Sequence, residues 1–122
     1  MGKTILTVDD SKTMRDMLRH ALVGAGYTVI QADDGVNGVE ALQNAGTVDV
    51  IITDINMPRM DGYGFMDQVR RDPRNRAIPI LVLTTESSPE KKQRARDAGA
   101  TGWIVKPFDP AKLIAAVRRV AP

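Results

Sequence analysis

A chain of 122 residues, 43% of them apolar and with a net charge of +2, suffices for one domain built on one hydrophobic core. Having no cysteine, it cannot form disulfides, thiolate metal sites or a cysteine nucleophile, and a single histidine, His20, excludes a histidine-rich metal site and a histidine-based triad. The pI of about 9.2 comes with acidic and basic residues intermixed, a weak signal for nucleic acid. Neither a secretion leader nor an apolar run near the ~20 residues of a membrane span is present, which predicts a soluble cytoplasmic protein with no membrane insertion.

Strand-like apolar runs alternate with segments of helical period along the chain, the pattern of an α/β domain with a mostly parallel sheet. The first run is TILTV at 4–8, followed after Ser11 by a helix whose core face is read as Met14, Met17, Leu18, Ala21 and Leu22, ended by Gly24 and Gly26. YTVIQA at 27–32 leads to a helix over 35–45 with Val36, Val39 and Leu42 inward and Gly46 as its stop. VDVIIT at 48–53 is followed by a helix over 63–71 that turns Phe65, Met66 and Val69 inward, with Pro73 beyond its end. IPILVLT at 78–84 precedes SSPEKKQRARDAGA, which has serine caps, a proline in its first turn and a glutamate three residues after Ser87. Its apolar face is only Ala95 and Ala98, so the fourth helix should pack shallowly. GWIV at 102–105 leads to a last helix with an Asp109 cap, Pro110 in the first turn and a stripe of Leu113, Ile114, Val117 and Val120.

In such a sheet the strand-to-helix loops emerge at one edge, where ligands bind. That edge should gather Asp9 and Asp10, Asp33 and Asp34, Asp54 and Asn56, Thr84, Thr85 and Glu86, and Lys106. Three converging carboxylates would repel one another unless a cation lay among them, and oxygen ligands without His or Cys favour Mg²⁺ or Mn²⁺ over Zn²⁺. Mg²⁺ in turn points to phosphate chemistry, with Lys106 as a second positive charge and Thr84 as a hydroxyl donor. Asp54, ionised at neutral pH, needs no general base to attack phosphorus. Each residue also has a plainer reading: Asp9-Asp10-Ser11 as a helix cap, Asp61-Gly62 as a turn, Thr84 and Thr85 as ordinary strand residues. Their joint arrival from strands one, three, four and five is harder to explain as capping.

VDDSKTMR at 8–15, TDINMPRMDG at 53–62, LTTES at 83–87 and GATGWIVKPF at 99–108 resemble, in order and spacing, the blocks of response regulator receiver domains, and most of all the stand-alone chemotaxis regulators of the CheY kind. The resemblance implies a flavodoxin-like (βα)5 sandwich over 1–122 with a five-stranded parallel sheet in the order 2-1-3-4-5. It implies Asp54 as phosphoacceptor from a sensor histidine kinase, Mg²⁺ held by Asp10, Asp54 and the Asn56 carbonyl with Asp9 acting mainly through water, and Thr84 and Lys106 as phosphoryl-binding groups. It implies a cis Lys106-Pro107 peptide, a switch made by Thr84 and Trp103, and Asn56 and Glu86 as tuners of acyl-phosphate lifetime. Tryptophan departs from the usual Tyr or Phe at the switch position, and its N–H needs a partner.

The output face implied is the fourth helix, fifth strand and fifth helix, with Lys91, Lys92, Arg94, Arg96 and Trp103 exposed to a target such as a flagellar motor switch protein; a phosphatase is a further partner, and the chain is expected to be a monomer. A phosphate sink or relay intermediate uses the same residues. A haloacid-dehalogenase-type phosphatase would want a second Asp two residues past its nucleophile, where Asn56 stands. A flavodoxin-like cofactor binder would want a phosphate-cradling loop where Asp9 and Asp10 stand. No DNA-binding output domain is expected after Pro122.

Overall fold

The computed structural model describes residues 2–122. Five strands, β1 (Thr4–Val8), β2 (Thr28–Ala32), β3 (Val50–Thr53), β4 (Ile80–Thr84) and β5 (Gly102–Val105), alternate with five helices, α1 (Lys12–Gly24), α2 (Gly35–Asn44), α3 (Gly62–Arg71), α4 (Pro89–Asp97) and α5 (Pro110–Val120). All strand pairs are parallel and the order is β2-β1-β3-β4-β5, as the resemblance implies.

Both faces of the sheet are covered, so the central strands are buried on both sides and mostly apolar, with Thr7, Thr53 and Thr84 as buried exceptions. On one side Leu6, Val8, Ile51, Ile80 and Val82 pack under Leu42, Phe65, Met66, Val69 and Ala95. On the other Ile5, Val50, Ile52, Leu81 and Leu83 meet Leu18, Leu22, Leu113 and Val117. Alternation along each strand divides these two cores.

Several local readings are revised. Met17 is 47% exposed rather than core, because a 3.6-residue turn puts it about a quarter-turn off the face shared by Met14, Leu18, Ala21 and Leu22. Val36 is half-buried and belongs to neither core; α2 buries Gly35, Gly38 and Leu42 instead, and a Cβ on Gly38 would come within 2.8 Å of the Phe65 ring. β3 and β4 each start two residues late: the Asp49 carboxylate accepts from the Thr4 N–H at 2.8 Å, and Pro79 has no N–H to give a neighbouring strand. Tyr27 precedes β2 because its N–H closes the end of α1 on the Leu22 carbonyl, over Gly26 at φ +96°.

Helix starts follow their side chains. Ser11, Asp34, Asp61 and Asp109 accept from the backbone N–H groups of Met14, Asn37, Gly64 and Ala111. On α4 the cap is Ser88, which accepts from Lys91 N at 3.3 Å. That places Lys91, not Glu90, at the third helical position, and the capping box expected from Ser87 does not form.

Candidate functional site

Parallel pairing brings the ends of β1, β3, β4 and β5 to one edge, and the side chains there meet. Lys106 Nζ lies 2.8 Å from Asp54 Oδ2 and 2.9 Å from Asp9 Oδ2, with its side chain 12% exposed. The second Asp54 oxygen accepts from the Ile55 N–H at 2.7 Å, and Asp9 Oδ1 accepts from the Ser11 N–H at 2.9 Å. The carboxylates of Asp9, Asp10 and Asp54 each offer an oxygen within 4.8 Å of the others. Asp9 and Asp54 are buried and Asp10 is exposed, so the cluster opens to solvent on the Asp10 side.

Burial pushes the Asp9 carboxyl above its ordinary range, against the Ser11 N–H and Lys106, which pull it down. Burial alone would lower the Lys106 ammonium; its close pairing with the Asp54 and Asp9 carboxylates outweighs that and holds it above the ordinary lysine value. Asp9 Oδ2 pairs with that ammonium by charge but lacks an aligned hydrogen-bond donor. A buried carboxylate oxygen left in this state, within a set of oxygen donors that includes an exposed Asp10, fits a hard divalent cation. Among the described residues the Asn56 backbone carbonyl accepts no hydrogen bond and is available to the same cation.

Thr84, wholly buried at the end of β4, accepts from the Glu86 N–H at 3.4 Å through its hydroxyl, and its carbonyl accepts from the Lys106 N–H at 2.8 Å. The backbone therefore ties the threonine and lysine positions together. The Lys106-Pro107 peptide is cis. Asn56 and Glu86 face each other, Nδ2 to Oε1, at 3.4 Å, and Lys91 Nζ closes on the same Glu86 oxygen at 2.8 Å. Lys91 first and Asn56 second hold the Glu86 carboxyl below its usual range. The Trp103 indole N–H donates to the Glu86 carbonyl at 3.0 Å, which supplies the partner a tryptophan needs at that place. Asp33 lies away from this group: it accepts from the Asn37 side chain on α2.

The model of the response regulator receiver domain matches residues 5–118. The chain belongs to the receiver family. Among solved structures, the Vibrio cholerae chemotaxis protein CheY4 shares 48% identity with this receiver at a TM-score of 0.94, over 98% of this chain and 99% of that one. The chemotaxis protein CheY1 of Helicobacter pylori is 42% identical over 107 residues, 87% of this chain and 86% of its own. The receiver domain of a Pseudomonas aeruginosa PAO1 sensor histidine kinase, which has a magnesium ion coordinated in its active site cleft, aligns at a TM-score of 0.91 with 27% identity over 99% and 98% of the two chains.

On the α4 side of the receiver, the basic residues are not uniformly free. Lys91 is committed to Glu86 and the Arg94 guanidinium lies 3.9 Å from the centre of the Tyr63 ring. Lys92 and Arg96 are exposed, and they line a small cleft of about 70 Å³ together with Ala95 and Trp103. Tyr63, a residue the sequence reading treated only as the start of α3, donates its hydroxyl to the Lys91 carbonyl at 3.3 Å. Contacts from α3, β5 and the β4-to-α4 loop thus supplement Ala95 in holding α4.

The raised Asp9 carboxyl carries a sign that can be measured without metal. The folded state holds the Asp9 proton more tightly than the unfolded state, so the cost of its buried charge is full above the folded pKa. That cost is relieved as pH falls through the folded pKa toward the unfolded one. In EDTA at neutral pH, Asp9→Asn is expected to stabilise the receiver by on the order of 1 kcal/mol, read as a higher melting temperature. The difference from wild type should shrink on acidification; equal melting at neutral pH would contradict it.

Proposed function

We propose that this receiver is a response regulator of a two-component system, working in the cytoplasm and in chemotaxis, phosphorylated on Asp54 by the phosphohistidine of a sensor kinase. The observation that carries this reading is the Lys106 ammonium bridging Asp54 and Asp9 at 2.8 and 2.9 Å with Asp10 beside them. A carboxylate in that setting is oriented and paired with a cation before any phosphoryl group arrives.

An Asp54 carboxylate oxygen forms the new O–P bond as the P–N bond to the donor imidazole breaks, and the imidazole nitrogen takes up a proton; the product is an acyl phosphate. Mg²⁺, or Mn²⁺ in its place, would be held by Asp9, Asp10, Asp54 and the Asn56 carbonyl and supplies charge neutralisation for the phosphoryl oxygens. Lys106 passes from a carboxylate partner to a partner of the phosphoryl oxygens, and the Thr84 hydroxyl donates to another of them. Most of the work is positioning and charge stabilisation, as in phosphoryl transfer generally. The added charge then draws Thr84 inward and alters the room beside Trp103 and β5. Asn56 and Glu86, facing each other across the entrance, set how readily water reaches the acyl phosphate.

The chemotaxis assignment is supported by the names of the two chemotaxis relatives. Lys92 and Arg96 then present positive charge to an acidic segment of a target such as a flagellar motor switch protein. The deciding experiment incubates the receiver with acetyl phosphate, with Mg²⁺ or with EDTA, and records intact mass. The expected result is one phosphoryl group per chain, only with Mg²⁺, lost on treatment with hydroxylamine as an acyl phosphate must be. A chain that gains no mass, or gains it equally in EDTA, would refute the reading.

A further inference from the structure

Between Asp54 and α3 the chain runs through Asn56 and Arg59, and Arg59 stands at φ +64°, a backbone conformation a branched or long side chain seldom adopts without support. Its guanidinium provides that support by reaching to α2. Nε donates to Asp34 Oδ2 at 2.7 Å, and Nη2 donates to Asp34 Oδ1 at 3.2 Å and to Asn37 Oδ1 at 2.9 Å. Asp34 is in turn fixed: its side chain is 7% exposed and its Oδ1 caps α2 by accepting from Asn37 N at 2.8 Å. The next residue of each partner continues the contact, since the Gly35 N–H donates to the Met60 carbonyl at 3.2 Å. A Cβ on Gly35 would stand 2.6 Å from that same carbonyl oxygen. At the far end of the loop the Gly62 N–H donates to the Ile55 carbonyl at 2.8 Å. The loop is therefore closed at its base by the Gly62–Ile55 hydrogen bond and fastened at its middle to the first turn of α2, with Asn56 between the two fastenings.

We infer that Arg59 is a positioning residue for the metal site: by clamping the loop to Asp34 and Asn37, it holds the Asn56 carbonyl where a divalent cation can use it. The inference rests on the proposed metal-binding role of Asp9, Asp10, Asp54 and Asn56. The sign of the effect separates clamping from simple electrostatics. Arg59 is a cation, so if it acted only through its field, its removal would tighten the binding of another cation. If it acts as a clamp, its removal must weaken binding, because the cation then has to order the loop itself.

The test measures Mn²⁺ binding by loss of the free aqua-ion electron paramagnetic resonance signal, with Mg²⁺ as competitor, on the full chain. Arg59→Ala and Arg59→Gly are each expected to weaken Mn²⁺ affinity about tenfold, the low end for the outer partners of a metal ligand. Glycine accepts a positive φ at no steric cost, so Arg59→Gly in EDTA should melt close to wild type while still binding Mn²⁺ weakly. Loss of the fold cannot then account for loss of the site. Asp34→Asn, which keeps a capping oxygen, should weaken binding similarly, and the double variant Asp34→Asn with Arg59→Gly should be no weaker than either alone. Unchanged or tighter binding in Arg59→Gly, or full additivity in the double variant, overturns the clamp. A wild-type chain that binds no Mn²⁺, or binds it equally well after Asp10→Asn, overturns the metal site and the clamp together. Binding weakened by Asp10→Asn but not by Arg59→Gly overturns the clamp alone.

Discussion

Asp54→Asn is expected to take up no phosphoryl group from acetyl phosphate and Mg²⁺ while folding as well as the wild type. The carboxylate takes its two hydrogen bonds on separate oxygens, Oδ1 from the Ile55 N–H and Oδ2 from Lys106; the amide oxygen can keep the first, and Lys106 retains Asp9 as its charge partner, so little of the local structure is at stake. What disappears is the anionic oxygen that forms the bond to phosphorus, and an amide has no comparable nucleophile. Lys106→Ala separates nucleophile from environment. It leaves Asp54 intact but strands two buried carboxylates without their shared cation, and it should slow phosphoryl uptake by on the order of 10²-fold. The same variant should gain more stability from Mg²⁺ than the wild type gains, since added cation then replaces a missing one. Intact mass at timed intervals, with melting curves in EDTA and in Mg²⁺, reads both effects. Equal labelling of Asp54→Asn and wild type would move the nucleophile to another residue, and peptide mapping would then look first at Asp9 and Asp10.

Phe65→Ala is expected to cost about 3–5 kcal/mol, the range for removing a large aromatic from a packed core, out of a total stability of about 5–15 kcal/mol for a domain of this kind. The ring is wholly buried and sits against Gly38 of α2, where a Cβ would come within 2.8 Å of its Cε1 and 3.2 Å of its Cδ1. The phenyl ring thus occupies the space that the missing side chain leaves. Gly38→Ala alone should destabilise by overpacking, about 1–3 kcal/mol. Combined with Phe65→Leu it should cost less than the two changes summed, because the smaller side chain gives the new methyl room. Urea melts of the single and double variants give the coupling; strict additivity would mean that the helix relaxes away from the ring.

The strands and the carboxylate-lysine cluster were legible in the chain because each is written locally. A fully buried parallel strand must be a short apolar run, and its last residue and the one after it must lie at the sheet's ligand edge, so Thr84 at the end of β4 and Asp9, Asp54 and Lys106 just past β1, β3 and β5 declare themselves by adjacency. Features that depend on a partner distant in sequence did not. Nothing about Arg59 announces Asp34, which is 25 residues away, and a positive φ is signalled by glycine or asparagine far more than by arginine. Tyr63 reads as an apolar helix residue until the Lys91 carbonyl and Arg94 are set beside it. Met17 misled because methionine at near-helical spacing looks like core, while the exposed edge of an amphipathic face differs from its centre by only a quarter-turn. Ser87 and Ser88 are chemically alike, and only the position of the first helical turn decides which one caps α4.

Trp103 is the sole tryptophan of the chain, and its indole N–H is held by the carbonyl of Glu86, the residue whose side chain meets both Asn56 and Lys91. The protein therefore carries one built-in optical reporter wired to the loop between β4 and α4. Its emission should shift when that hydrogen bond breaks or when solvent enters the adjoining cleft. Lysine at position 91, the glutamate and the indole can then be followed through a single colour, in real time and without a label.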